Sequence, residues 1–171
     1  MKEIKEYNFK GRSVIFELII FSILAVPTIW LLVSSYRQPM VFVFALIPGI
    51  LLFFQGYVSR ITMQFNKYDD GKRVIISDDR STMTIIQGSS SAIVENTDIE
   101  RVAIYEQKSL GKFGSYNYMV LYTSDSKELL ITNFTIPLLI YDRILESFLS
   151  KKPRVYYKKR FNYIDEKRFK L

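Results

Sequence analysis

The chain turns almost wholly apolar twice within its first sixty residues. Residues 14–33 carry one charge, Glu17, and residues 41–58 carry none. At about 1.5 Å per residue the first run is roughly 30 Å long as a helix, the thickness of a bilayer's hydrocarbon core. The second is shorter but within the spanning range. The link Ser34-Ser35-Tyr36-Arg37-Gln38-Pro39-Met40 leaves length for nothing but an antiparallel helical hairpin. A signal peptide fits the first run poorly. Its apolar stretch is too long, no small-x-small cleavage pattern follows, and a second span comes at once. A pair of buried helices in a soluble protein is disfavoured because such long uncharged runs are rare there. Pro27 and Pro48-Gly49 predict kinks, which bilayer helices tolerate, in place of the broken helices of a transporter. Glu17 lies near the start of its run and predicts an interfacial carboxylate favoured by the helix N-terminus.

Past residue 60 the pattern becomes alternating. Residues 60–66 place Ile61, Met63 and Phe65 on one face, which predicts a half-buried strand. Further strands are predicted over 73–77, 81–87, 92–95, 99–107, 116–123 and 127–133. Asp69-Asp70-Gly71, Asp78-Asp79-Arg80 and Ser124-Asp125-Ser126 read as turns, and 108–115 as a loop. The period then becomes helical: Leu138, Tyr141, Ile144, Leu145 and Phe148 share one face, with Pro137 in the first turn. Ile75, Ile85, Val102, Ile104, Val120 and Ile131 form the predicted core, with Ile144 and Phe148 packed over them. Seven short strands and one amphipathic helix describe a bent β-sandwich or partial barrel with the helix over an open end.

Composition changes the picture in two places. The 171 residues include no cysteine and no histidine, which excludes disulfides, thiol or imidazole catalysis and zinc sites built from those ligands. The net charge of +7 is concentrated: residues 151–171 hold nine Lys and Arg against two Asp and Glu, while residues 1–150 hold fifteen of each. Basic residues flank the outer ends of both apolar runs (Lys2, Lys5, Lys10 and Arg12; Arg60, Lys67, Lys72 and Arg73), and the link has only Arg37. The positive-inside rule then puts both termini in the cytoplasm. Tyr7, Phe9, Trp30, Tyr36 and Tyr57 lie where interfacial rings are expected.

No catalytic constellation is visible. Asp69-Asp70 and Asp78-Asp79 sit in turns, where Asp serves the local backbone, so they are expected to stay solvated. Ser89-Ser90-Ser91 reads as loop, Gly111-Lys112-Phe113-Gly114 lacks the phosphate-loop continuation, and no acidic spacing suits a hard cation. No catalytic residue, metal site or cofactor is expected. The tail is the candidate site: Lys151, Lys152, Arg154, Tyr156, Tyr157, Lys158, Lys159, Arg160 and Phe161 interleave cations with rings. Such a segment suits anionic lipid at a membrane surface or a partner protein there. A hairpin-anchored chain gives nucleic acid no comparable local concentration. A solvated tail that only enforces topology is the plain alternative.

The order of hairpin, strands and helix resembles the bacterial membrane-anchored PH-like (pleckstrin-homology-like) proteins. The resemblance is carried by Gly71-Lys72-Arg73-Val74-Ile75-Ile76, Thr97-Asp98-Ile99-Glu100-Arg101-Val102 and the helix of residues 137–149. It implies an α+β membrane protein: a two-helix transmembrane hairpin, then a seven-stranded PH-like β-sandwich or partial barrel capped by one C-terminal helix. The divisions expected are a cytoplasmic flank (1–13), the hairpin (14–58), the PH-like β domain (60–150) and the basic-aromatic tail (151–171). The implied function is a non-enzymatic binding or scaffold protein of the cytoplasmic (inner) membrane. Its cytosolic domain would engage a membrane partner protein, inner-leaflet lipid or both. A subunit of an oligomeric channel or transporter is the rival. Some PH domains hold phosphoinositides with Lys-x(n)-Lys/Arg-x-Arg in their first hairpin. Here Ile75 replaces the last Arg and two Asp oppose an anionic head group, so that activity is not carried over.

Overall fold

The computed structural model describes residues 5–108, 116–138, 143–159 and 162–165. The elements run β1 (Lys5–Asn8), α1 (Val14–Ser35), α2 (Val41–Asp69), β2 (Arg73–Ile76), β3 (Thr82–Gln87), β4 (Ser90–Glu95), β5 (Ile99–Gln107), β6 (Tyr118–Thr123), β7 (Glu128–Thr132), α3 (Arg143–Phe148) and β8 (Arg154–Lys159). One 3₁₀ turn, Asn96–Asp98, joins β4 to β5. The described strands number eight, in two four-stranded sheets ordered β1-β2-β3-β4 and β7-β6-β5-β8. The chain divides into two compact units, Met1–Gly11 with Gln64–Leu171, and Arg12–Met63.

The apolar unit is a hairpin of α1 and the greater part of α2. Ser13 caps α1, its hydroxyl accepting from Phe16 N–H at 3.3 Å. Both helices are long and apolar enough to cross a bilayer. Glu17 is not a lone carboxylate. Gln55 Nε2 donates to Glu17 Oε2 at 2.6 Å and to the Glu17 carbonyl at 3.2 Å, and Gln55 is 7% exposed. Each polar side chain thereby gains a hydrogen-bond partner within the apolar hairpin.

Helix α2 runs to Asp69, and this overturns the strand predicted over 60–66. Ile61, Phe65 and Tyr68 are buried at helical spacing, whereas Met63, which a strand would turn inward with them, is 44% exposed. Both periods fit so short a window. A helix already nucleated upstream extends at one hydrogen bond per residue, so the helix wins. Gly71, at φ 64, ends it with the left-handed turn that a side chain resists.

The sandwich core joins both sheets and α3. Val74, Ile76, Met83, Val102, Leu121, Ile131, Ile136 and Phe148 are fully buried within it, and Tyr7 of β1 adds its ring. Ile85, Val102, Ile131 and Phe148 lie there as expected, with Ile104 and Ile144 packed against it. Ile75 does not: β2 turns Val74 and Ile76 inward. Three consecutive β-branched residues carry no alternation, so pairing with β1 and β3 sets the face. Val120 is buried on the opposite side of β6 from Met119 and Leu121. There Phe65, Tyr116 and Phe134 pack ring on ring, with centroids 5.4 to 6.0 Å apart.

Three further expectations are corrected. Residues 5–8 form β1, antiparallel to β2, in place of a plain flank, and Tyr7 joins the core in place of a membrane interface. The hairpin is therefore inserted between β1 and β2. The strand count is eight because β1 and β8 are gained and 60–66 is lost. Asp69 is not solvated: it is fully buried, held by Lys72 Nζ at 2.7 Å, by Thr132 N–H at 3.1 Å and by the hydroxyls of Thr132 and Thr135 at 2.7 and 2.6 Å.

Candidate functional site

The candidate tail residues fold into the second sheet. After α3, Lys151 takes a left-handed conformation (φ 66) and Lys152 N–H returns to Leu149 O at 3.3 Å. Pro153 prevents continuation of the helix. The Arg-Val-Tyr-Tyr-Lys-Lys run that follows is rich in strand-forming side chains and pairs in parallel with β5, Tyr105 beside Tyr157 and Gln107 beside Lys159. A parallel partner arriving by way of a helix is the connection such strands require.

Side chains fix this strand at both ends and the middle. Arg154 Nη1 donates to Glu146 Oε2 on α3 at 2.7 Å, and Nη2 to Leu149 O at 3.2 Å. Partial burial opposes the Arg154 charge, but hydrogen bonding to Glu146 and Tyr156 outweighs it and holds the guanidinium above its ordinary value. Tyr118, Tyr105 and Tyr157 stack across three strands with centroids 4.5 and 4.8 Å apart, and Lys159 Nζ sits 5.0 Å from the Tyr105 ring centroid. Farther along, Asn162 Nδ2 bridges the carbonyls of Tyr105 and Tyr116 at 2.9 and 2.7 Å. Gln64 makes a two-way bond with the backbone of Ile164, at 2.8 and 2.9 Å.

The structure thus brings together Arg154, Tyr156, Tyr157, Lys158 and Lys159 on one edge strand and places Lys151 and Lys152 in the turn before it. Arg160 and Phe161 lie outside the described residues. Sequence reasoning missed Asn162, Gln64 and Gln55. A signal for Gln55 existed: it and Glu17 stand at similar distances along the two helices from the connecting loop. For Gln64 and Asn162 the pairing is long-range and no local pattern announces it.

Elsewhere, a polar cleft of about 620 Å³ is lined by Asp78, Asp79, Arg80, Asn96 and Ser147 among others. Arg80 Nη1 donates to Ser147 Oγ at 2.7 Å. Asp79 accepts from the Ser77 hydroxyl and from the hydroxyl and N–H of Ser81, which lower its pKa to about 2. That is the backbone-serving role the turn predicts. Among the described residues no group of acidic side chains converges as a metal site. Lys72, part of the first-hairpin sequence weighed for phosphoinositides, is buried against Asp69 and the Leu130 carbonyl, so it faces no ligand.

A family model described as PH domain matches residues 5–146. The chain belongs to the PH domain family. The match takes in β1, the apolar hairpin, β2 to β7 and the first part of α3, so the inserted hairpin lies inside the PH domain match and β8 lies beyond it. No curated protein and no solved structure matches the chain. PH domains are generally non-catalytic modules that bind lipids or proteins, and no enzymatic family is indicated.

Proposed function

We propose that the chain is a non-enzymatic binding module of a membrane, its hairpin spanning the bilayer and its PH domain engaging a membrane partner protein on the cytoplasmic side. The observation that carries this reading is the point of insertion: both apolar helices lie between β1 and β2, two strands paired with each other. An anchor placed there joins the domain through two chain crossings in its own first sheet. The most apolar stretch of α1 is 6% buried and that of α2 22%. Ile15, Ile23, Trp30, Phe44 and Ile47 stand open, an area that water penalises and lipid accepts. The basic flanks favour a cytoplasmic domain.

The closed Glu17–Gln55 pair argues against the channel-subunit rival, because a polar pair satisfied inside one hairpin offers no group to a pathway built from several. With β8 paired into the sheet, residues 154–159 are a built surface more than a loose lipid arm, which favours a protein over anionic lipid as ligand. The chain has no native cysteine, so single cysteines report its topology cleanly. A cysteine at Gln38 should label with impermeant maleimide in intact cells, and one at Ser89 should not; the reverse pattern would overturn the orientation. Capture from native membranes should retain a membrane protein, and an empty capture in every detergent and cross-linking condition would remove the binding reading.

A further inference from the structure

Strand β8 is the outer strand of its sheet. Two bonds to β5 fix its alternation: Val102 N–H donates to Pro153 O at 2.9 Å and Lys108 N–H to Lys159 O at 2.8 Å. Residues 153, 155, 157 and 159 therefore turn their backbone groups toward β5, and Arg154, Tyr156 and Lys158 turn theirs to the outer edge, which no other described strand occupies. Side chains alternate across the sheet instead. Tyr156 and Lys158 stand on the side of their register partners Ile104 and Glu106; Val155, Tyr157 and Lys159 stand on the side of Ala103, Tyr105 and Gln107. Val155, Tyr156 and Tyr157 are 39%, 53% and 42% exposed, and both lysines are exposed.

We propose that this outer edge takes an extended acidic segment of a partner protein, which adds to β8 as a ninth strand. The inference rests on the binding-module reading above and names the partner's chemistry. The outward N–H and C=O groups supply main-chain bonds, and the open rings supply contact for alternate side chains. Charge selects the occupant. A second β8 would set lysine against lysine, and edge lysines disfavour such self-pairing. A flat anionic bilayer reaches one side of a sheet, whereas Lys158 and Lys159 lie on opposite sides. An added strand, whose own side chains alternate, meets both.

The test uses the full chain in phosphatidylcholine nanodiscs and a fluorescent, end-capped peptide of repeating Glu-Glu-Val-Val, which puts carboxylates on both faces of an added strand, with a Lys-Lys-Val-Val peptide as control. Anisotropy should show saturable, salt-sensitive binding of the acidic peptide alone. Tyr156→Pro deletes one outward N–H without removing a bond to β5, and should weaken binding about tenfold. Lys158→Glu with Lys159→Glu should abolish acidic-peptide binding and admit the basic peptide, while the thermal midpoint falls only by the small amount that the lost Lys159–Tyr105 contact accounts for and the chain stays folded. Should Tyr156→Pro undock β8, the charge reversal decides alone. Equal binding of both peptides, no saturable binding, or undiminished affinity after charge reversal would each overturn the proposal. So would soluble dioctanoyl phosphatidylglycerol binding in place of the peptide, which would identify lipid. A native partner retained equally by the charge-reversed chain leaves the module reading standing and removes the edge; a partner retained by neither chain removes the module reading itself.

Discussion

Among single residues, Asp69 shows how far a side chain's role departs from its local sequence. Asp69 and Asp70 are neighbours of the same type in the same turn, yet one is fully buried and the other exposed. The difference arises sixty residues away, where Thr132 and Thr135 supply the hydroxyls and N–H that make a buried carboxylate affordable. Lys72 completes the pair at 2.7 Å with a side chain only 6% exposed. Removing the carboxylate would strand that ammonium in the interior. Asp69→Ala should therefore cost about 3–5 kcal/mol, while Asp70→Ala should stay within about 0.5 kcal/mol. Denaturant unfolding of the two variants in the same micelles checks this, and similar losses for both would show that the buried pair contributes nothing specific.

For the elements, six strands and the capping helix were legible because their sequences alternate or repeat locally. β5 appears over the very residues predicted, and β3, β6 and β7 within two residues at each end. The failures have a common cause. β1 is four residues long and becomes a strand only by pairing with β2, across the whole inserted hairpin. β8 reads as a charged tail until β5 offers it an edge, and its Tyr157 ring then stacks on Tyr105. Residues 60–66 fit two periods at once, and the decision lay in the helix before them. Helix α3 was legible over Arg143–Phe148, where it packs on the core, but Pro137 and Leu138 are not helical and Tyr141 lies outside the described residues. Phe148 is fully buried in the core and Ile144 only partly, so Phe148→Ala should cost about 3–5 kcal/mol and Ile144→Ala distinctly less. Chemical unfolding monitored at the β domain would show this order, and a Phe148 loss well under 1 kcal/mol would mean that α3 does not hold the two sheets together.

For the molecule as a whole, the insertion has a consequence that a cut at residue 60 would miss. A fragment beginning after the apolar hairpin loses β1, and with it Tyr7 from the core and the strand that covers the outer edge of β2. The bared edge is then a template for association with other chains, and the missing ring removes roughly 1.5–3 kcal/mol of buried apolar contact. The alternative is to excise only the hairpin. Gly11 and Asn66 lie side by side: a Cβ on Gly11 would come 3.2 Å from Asn66 Oδ1. Joining Gly11 to Gln64 through a short Gly-Ser linker therefore asks little of the chain, since closing so short a gap carries a small entropic cost. The compact unit of Met1–Gly11 with Gln64–Leu171 would be preserved whole. That spliced protein should be monomeric and unfold cooperatively, with β1 amides protected from exchange, whereas residues 64–171 alone should be less stable and self-associate. Sedimentation and hydrogen exchange on the pair make the comparison. If the splice aggregates as readily as the truncated fragment, β1 does not complete the domain, and the hairpin is part of the fold and not a separable anchor.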